Sequence, residues 1–213
     1  MMECTDRHGR YFLRQCSRRV LLYSEMITAA AVRHGKREFL LAFDVAEHPV
    51  ALQLGGGDPA ELAVAAKLGQ AAGYGEINLN VGCPSDRVKS GRFGACLMAE
   101  PELVARCVAA MADAVDLPVT VKCRIGINGR DSFEQLRSFA GLLVGAGMAS
   151  LAVHARIAIL EGLSPKQNRE IPPLNYDRVY RLKDELPALE IILNGGVRSL
   201  ADAVQHLQRV DGV

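Results

Sequence analysis

A cysteine between a glycine and a proline is where chemistry could start in this chain. Asn78-Leu79-Asn80-Val81-Gly82-Cys83-Pro84-Ser85 follows Glu76-Ile77, so a short apolar-alternating strand runs into a tight turn that carries a thiol. Parallel α/β proteins place their chemistry at the carboxyl ends of strands, and strand-end loops carry function more often than cores do. A free cysteine also serves widely as a small buried apolar side chain, so Cys83 on its own leaves both readings open. Other apolar runs finish in a similar way, in Glu25-Met26, Gln53, Lys122 and Arg124, His154 and Arg156, and Asn194-Gly195-Gly196. Taken singly, each is an ordinary surface or turn residue. Gathered on one rim, they would surround one opening. Gly195-Gly196 before a helix suits a phosphate, because bare backbone N–H groups can approach the anion at the positive end of a helix starting near Ser199. Gly55-Gly56-Gly57 lacks the spacing of a dinucleotide fingerprint and reads as a turn that lets Gln53 and the backbone approach a flat ligand.

The elements that must position these residues follow from the pattern of the chain. Thr5-Asp6 caps a helix over 6–18 with Tyr11, Phe12 and Leu13 among its apolar positions. Val20-Leu21-Leu22-Tyr23 reads as a strand ending near Glu25-Met26, and 29–48 as loop with a helical turn. Strands follow at 50–54, 76–80, 117–123, 150–154 and 190–194, with one more opening at Val210. Between them, helices are expected at 59–72 (Asp58 as cap, Pro59 first), 101–115, 132–145, 175–185 and 200–209. Long loops run from Cys83 to about Ala99 and over 155–173. Strict β-loop-α alternation implies a parallel sheet. Six or more such units favour a (β/α)₈ TIM barrel over an open sheet. The count is short of eight, so the expectation is one partial TIM-barrel domain over 1–213, with the first strand missing before Met1 and the eighth barely begun.

Bulk properties narrow the class. At 213 residues and 49% hydrophobic, the chain can bury one sizeable core, and no apolar run is long enough to span a membrane. The N-terminus has no secretory pattern, and the six cysteines (4, 16, 83, 96, 107 and 123) form no CxxC pair or zinc-like cluster. A cytoplasmic, monomeric protein with reduced thiols and no metal is the expectation. Net charge is +1, but residues 1–40 carry eight Lys/Arg against four acids, and 155–169 carry Arg156, Lys166 and Arg169 against Glu161. Such basic segments are either solvated surface or a face for a phosphate-rich partner.

Four motifs in fixed order then give a resemblance. Leu79-Asn80-Val81-Gly82-Cys83-Pro84, Val121-Lys122-Cys123-Arg124-Ile125-Gly126, Val153-His154-Ala155-Arg156 and Asn194-Gly195-Gly196 resemble the tRNA-dihydrouridine synthases. Glu25-Met26-Ile27-Thr28, Leu52-Gln53-Leu54-Gly55-Gly56, Gly94-Ala95-Cys96-Leu97-Met98 and the stretch from Gly162-Leu163-Ser164-Pro165-Lys166 to Leu174 are similar to the bacterial A subfamily. The likeness covers essentially the whole chain.

The resemblance implies an FMN-dependent reduction of the uracil 5,6 double bond in tRNA, driven by NADPH, at D-loop positions 20 and 20a. Hydride goes from flavin N5 to C6, and Cys83 is implied as the acid that protonates C5. Lys122 is implied beside the flavin pyrimidine edge, Gln53 on the ring, His154 as a further FMN contact, and Asn194, Gly195 and Gly196 at the phosphate. Met1 and Met2 match the end of a segment lying against the flavin. Asn80 matches a position that meets the extruded uridine, since a stacked base is out of reach. Arg156, Lys166, Asn168 and Arg169 are implied as tRNA contacts on the basic loop.

The chain departs from the family pattern as well. It lacks the Ala-Pro before Met1, the Gly-Arg after strand eight and the helical C-terminal tRNA-binding domain. Ile157 and Ile159 stand where the subfamily has Lys and Trp. Weak FMN binding and poor activity are therefore expected of the chain as given. Two alternatives remain: a small-molecule pyrimidine flavin reductase of the dihydroorotate dehydrogenase type, and an inactive remnant that binds RNA or nothing.

Overall fold

The computed structural model describes residues 5–85 and 91–213. Seven parallel strands form one sheet: β1 (Leu22–Tyr23), β2 (Ile27–Thr28), β3 (Val50–Gly55), β4 (Glu76–Asn80), β5 (Val119–Arg124), β6 (Ser150–His154) and β7 (Glu190–Asn194). The path is β1-β3-β4-β5-β6-β7, and β2 also pairs with β3, so β1 and β2 are two short halves of one barrel position. Among the described residues the helices are α1 (Arg7–Cys16), α2 (Ala29–His34), α3 (Arg37–Leu40), α4 (Pro59–Ala71), α5 (Pro101–Ala112), α6 (Phe133–Gly145), α7 (Gln167–Glu170), α8 (Tyr176–Glu185) and α9 (Leu200–His206). This is part of a TIM-type (β/α) barrel, as expected. The start of an eighth strand position is a single parallel bridge, Ile192 to Gly212.

Local chemistry explains most of the boundaries. Asp58 accepts from the Glu61 N–H at 2.8 Å and Pro59 opens α4. Ser132 and Gln135 form a reciprocal capping box that starts α6. The helices cover the outer face of the sheet, and the approach is close. A Cβ on Gly69 of α4 would lie 2.5 Å from Leu52 and 2.9 Å from Ile77. Leu52, Ile77, Leu79, Leu151, Ile191 and the helix residues Leu62, Met111, Leu143 and Leu182 are fully buried in this layer, each contributing about 1.5–3 kcal/mol by burial. No helix among the described residues is long and apolar enough to cross a membrane.

Three expectations need correction. The 29–48 stretch contains α2, α3 and a 3₁₀ turn at Val45–Glu47, whose capping box joins Asp44 and Glu47. Helices α5 and α9 stop short, at Ala112 and His206. The third concerns α1, which is turned the other way: Tyr11, Phe12 and Leu13 are exposed while Arg10 and Arg14 are buried. Arg10 pairs with the buried Glu47 at 2.5 Å, and Arg14 donates to the carbonyls of Ser17, Val20, Glu47 and Pro49. Four carbonyls around one guanidinium outweigh the aromatic stripe. These two arginines are therefore structural and leave the basic N-terminal face.

Candidate functional site

The inner face of the sheet is polar where barrels usually pack branched aliphatics. Side chains alternate across a strand. The residues opposite the helix-covered set are Glu76, Asn78 and Asn80 on β4; Thr120, Lys122 and Arg124 on β5; Ser150, Ala152 and His154 on β6; and Glu190, Ile192 and Asn194 on β7. The register sets Asn80 beside Lys122, Arg124 beside His154, and His154 beside Asn194, at the carboxyl ends of the strands. A lining of this kind suits a polar guest.

Cys83 is half-buried at this end, and its turn is held from three sides. The Asn80 Oδ1 accepts the N–H of Gly82 at 3.1 Å and of Cys83 at 3.0 Å. Ala95 donates its N–H to the Cys83 carbonyl at 2.9 Å. The buried Arg124 donates Nε to the Gly82 carbonyl at 3.0 Å. Among the described residues the thiol itself makes one weak contact, to Ser85 Oγ at 3.6 Å. It is fixed by its backbone, and its sulfur remains free for chemistry. Gln53 lies below, accepting from Asn80 Nδ2 at 2.9 Å and donating to Asn78 Oδ1 at 3.0 Å, which leaves it one N–H and one lone pair.

Lys122 and His154 stand next to the turn with capacity unused. The Lys122 ammonium makes no hydrogen bond to the described residues, and burial followed by the Arg124 charge lowers its pKa to about 8. The ammonium is still charged at neutral pH. Lys122 and Arg124 both feel Cys83 electrostatically, which brings thiol and cations into one site. His154 is lowered to about 3 by burial, then by Arg124, Lys122, Arg156 and Arg169, so it is a neutral imidazole. Its buried Nε2 has no partner among the described residues. A buried nitrogen left unpaired costs free energy, and a ligand atom would relieve that cost.

The unpaired cation gives a prediction with a defined sign. The folded pKa of Lys122 lies below its unfolded value, so the folded state binds fewer protons between about pH 8 and 10.5, and stability rises with pH across that window. Lys122→Met should stabilise the ligand-free protein at pH 7 by roughly 1–2 kcal/mol, allowing for solvent screening. The advantage should shrink as pH passes 8 toward 10.5, measured by urea denaturation at each pH. An advantage that grows with pH would contradict the buried-cation account.

Gly195 and Gly196 lie beside His154. Gly195 has φ +103° and Gly196 +76°, a region that disfavours side chains. A Cβ on Gly195 would lie 2.7 Å from the His154 ring, and one on Gly196 2.5 Å from Leu174 and 2.6 Å from the Tyr176 hydroxyl. Tyr176 donates to the Gly195 carbonyl at 2.9 Å, tying the turn to α8. Gly195→Ala should cost about 1–3 kcal/mol in a denaturant melt. A cost under about 0.5 kcal/mol would mean that the turn relaxes freely.

The loop over 155–173 separates into holding residues and facing residues. Asn168 is fully buried, its Oδ1 accepting from the Ile159 N–H and its Nδ2 donating to the carbonyls of Ile159, Leu163 and Ser164. Its amide is consumed in shaping the loop, which corrects the expectation that it meets RNA. Arg156 is half-buried and donates to the Pro172 and Glu170 carbonyls, while its buried Nε is unpartnered among the described residues. Lys166 and Arg169 are exposed, and Arg169 is close enough to act on His154. Asn194 is exposed at the end of β7, and Met1 and Met2 lie outside the described residues.

Arg124 is the residue to which the sequence assigned no role. Besides Gly82, it donates to the Ile157 carbonyl at 3.1 Å and the Asn168 carbonyl at 2.8 Å, joining the thiol turn to the basic loop. Its position in phase with Lys122 on β5 was the available signal. Thr120 and Glu76, below the rim on the same face, were missed for lack of a strand-end position.

Comparisons with known proteins identify the family. The family profile described as dihydrouridine synthase matches residues 1–213. Proteins called tRNA-dihydrouridine(20/20a) synthase from Pseudomonas syringae pv. tomato, Pseudomonas aeruginosa and Synechocystis are each 61% identical over 213 residues, covering all of this chain. The chain spans 63% of the first relative's length and 64% of the other two. In overall shape it is similar to a putative lyase/mutase from Burkholderia cenocepacia, at a TM-score of 0.57 and 15% identity over 95% of this chain and 70% of that one. A putative lactate oxidase from Pediococcus acidilactici gives a TM-score of 0.57 and 20% identity over 98% of this chain and 58% of the other. At such identities these two likenesses concern the fold alone. With the profile matched from end to end, the chain belongs to the dihydrouridine synthase family.

Proposed function

We propose that this chain carries the flavin site and reaction centre of an enzyme that reduces D-loop uridines, at positions 20 and 20a of tRNA, to dihydrouridine in the cytoplasm. The observation that carries this reading is the gathering of Cys83, Lys122 and His154 at one polar mouth in a member of this family. The residues present fit a flavin mononucleotide. The unpartnered His154 Nε2 and the nearby Lys122 ammonium would meet its polar edge, and the side-chain-free Gly195-Gly196 turn leaves room for its phosphate. Asn194 extends the same turn. FMN, kept reduced by NADPH, would supply the hydride to uracil C6.

The protein's part is positioning and proton transfer. Cys83 would give its proton to C5 from the face opposite the flavin, its direction set by the backbone contacts of Asn80, Ala95 and Arg124. Lys122 would favour negative charge on the reduced ring, and Gln53 would offer its remaining N–H or lone pair to that ring. Asn80 has one N–H left for the extruded base. Exposed Lys166 and Arg169, with Arg156 beside them, would meet the tRNA backbone.

These exposed cations favour tRNA over a free pyrimidine, which needs no basic rim. The test offers the FMN-loaded protein with NADPH either unmodified tRNA or free orotate and uracil, and scores reduced product by mass spectrometry. Dihydrouridine in tRNA alone supports the proposal. Reduction of the free bases with tRNA untouched would transfer the site to the dihydroorotate dehydrogenase-like reading. No product from either would leave the remnant reading.

A further inference from the structure

A continuous chain of side-chain hydrogen bonds runs beneath the thiol turn. Glu76, at the amino end of β4, accepts from Tyr23 OH at 2.9 Å and from Thr120 Oγ1 at 2.6 Å. Asn78 Nδ2 donates to Thr120 Oγ1 at 2.8 Å, Gln53 Nε2 to Asn78 Oδ1 at 3.0 Å, and Asn80 Nδ2 to Gln53 Oε1 at 2.9 Å. Asn80 Oδ1 then accepts the N–H groups of Gly82 and Cys83. Gln53, Asn78 and Thr120 are all buried.

The order of donors and acceptors is fixed at both ends, by Glu76 at one and by the backbone N–H groups of Gly82 and Cys83 at the other. An ionised carboxylate only accepts, so the Thr120 proton must point at Glu76, which leaves the Thr120 oxygen to accept from Asn78. The Asn78 oxygen is then free for Gln53, the Gln53 oxygen for Asn80, and the Asn80 oxygen for the thiol turn. Amides have two orientations that differ little in shape, and Glu76 adds a second anchor to the one that the N–H groups of Gly82 and Cys83 give at the Asn80 end. The Glu76 pKa is raised on balance, by burial first and also by the Glu190 charge, and the bonds from Thr120 and Tyr23 oppose that rise. Tyr23 is itself held neutral by burial and by Glu76, and so stays a donor.

We propose that Glu76 is a positioning residue for Cys83, acting through Thr120, Asn78, Gln53 and Asn80 to present an oxygen to the thiol turn. It touches no ligand and sits at the opposite end of the strand from the chemistry. The role rests on Cys83 as the reacting group, but the test needs neither flavin nor tRNA.

The test is the alkylation rate of Cys83 by iodoacetamide in the full chain, read by peptide mass spectrometry with the fully buried Cys107 as an internal control for global opening. Thr120→Val keeps the shape and cuts the chain in its middle. Cys83 alkylation should rise about fivefold, the factor that one lost neutral hydrogen bond is worth, while Cys107 stays unchanged. Thr120→Ser, which keeps the hydroxyl, should return Cys83 to within about twofold of wild type. Glu76→Gln retains an accepting oxygen and should behave like Thr120→Ser, whereas Glu76→Leu should behave like Thr120→Val. An unchanged Cys83 rate in Thr120→Val and Glu76→Leu, or a rise matched by Cys107, would overturn the proposal.

Discussion

Cys83→Ala is expected to lower uridine reduction in tRNA by about 10²–10⁴-fold, the range a positioned general acid contributes. Binding of FMN and its reduction by NADPH should persist within about twofold, because the turn is held by backbone atoms that alanine keeps. Among the described residues the sulfur contributes only the weak 3.6 Å contact to Ser85, so the loss of activity would be chemical and not structural. Cys83→Ser should fall between wild type and alanine, since a hydroxyl can occupy the same place but is a far weaker acid. Initial rates of dihydrouridine formation, set against flavin spectra of the same samples, separate the two effects. Full activity in Cys83→Ala would remove the proton-donor assignment.

Arg124→Met is expected to be the most damaging of the structural changes. The side chain is buried and serves three carbonyls on two loops, those of Gly82, Ile157 and Asn168. Removing the guanidinium leaves those acceptors unpaired inside the protein, at about 1–3 kcal/mol each before relaxation. A net loss of about 3 kcal/mol or more is expected from urea denaturation. Lysine should not rescue it, because a single ammonium cannot span the carbonyls that the planar fork reaches. Burial lowers the Arg124 pKa to about 10, so the group is charged throughout the neutral range and the effect should be independent of pH there. A loss below about 1 kcal/mol would show that the loops hold each other without it.

Much of this was legible in the residues. Strand positions from β3 to β7 follow from apolar runs with turn residues after them, and the polar inner face is written as Glu76, Asn78 and Asn80 alternating with Ile77 and Leu79. The rim residues Lys122, His154 and Gly195 were visible because each ends an apolar run. What escaped depends on partners far along the chain. Arg10 and Arg14 look like surface charge until Glu47 and the Pro49 carbonyl are seen around them. Asn168 looks like a recognition residue until its amide is found closing its own loop. Local sequence reports which group is present, and only packing reports where its hydrogen bonds are spent. The 29–48 region failed for a related reason: its helices are one or two turns long, too short for a periodic signal.

The measurement that bears most directly on the central claim is a single turnover. Protein carrying reduced FMN is mixed with unmodified tRNA in the absence of oxygen, and flavin absorbance and dihydrouridine content are followed together. The account predicts that the flavin reoxidises only when tRNA is present, with about one dihydrouridine formed per flavin. In Cys83→Ala the same reoxidation should be slower by about 10²–10⁴-fold. Reoxidation without dihydrouridine, or at an equal rate in the two proteins, would contradict the reading of Cys83 as the acid at this site.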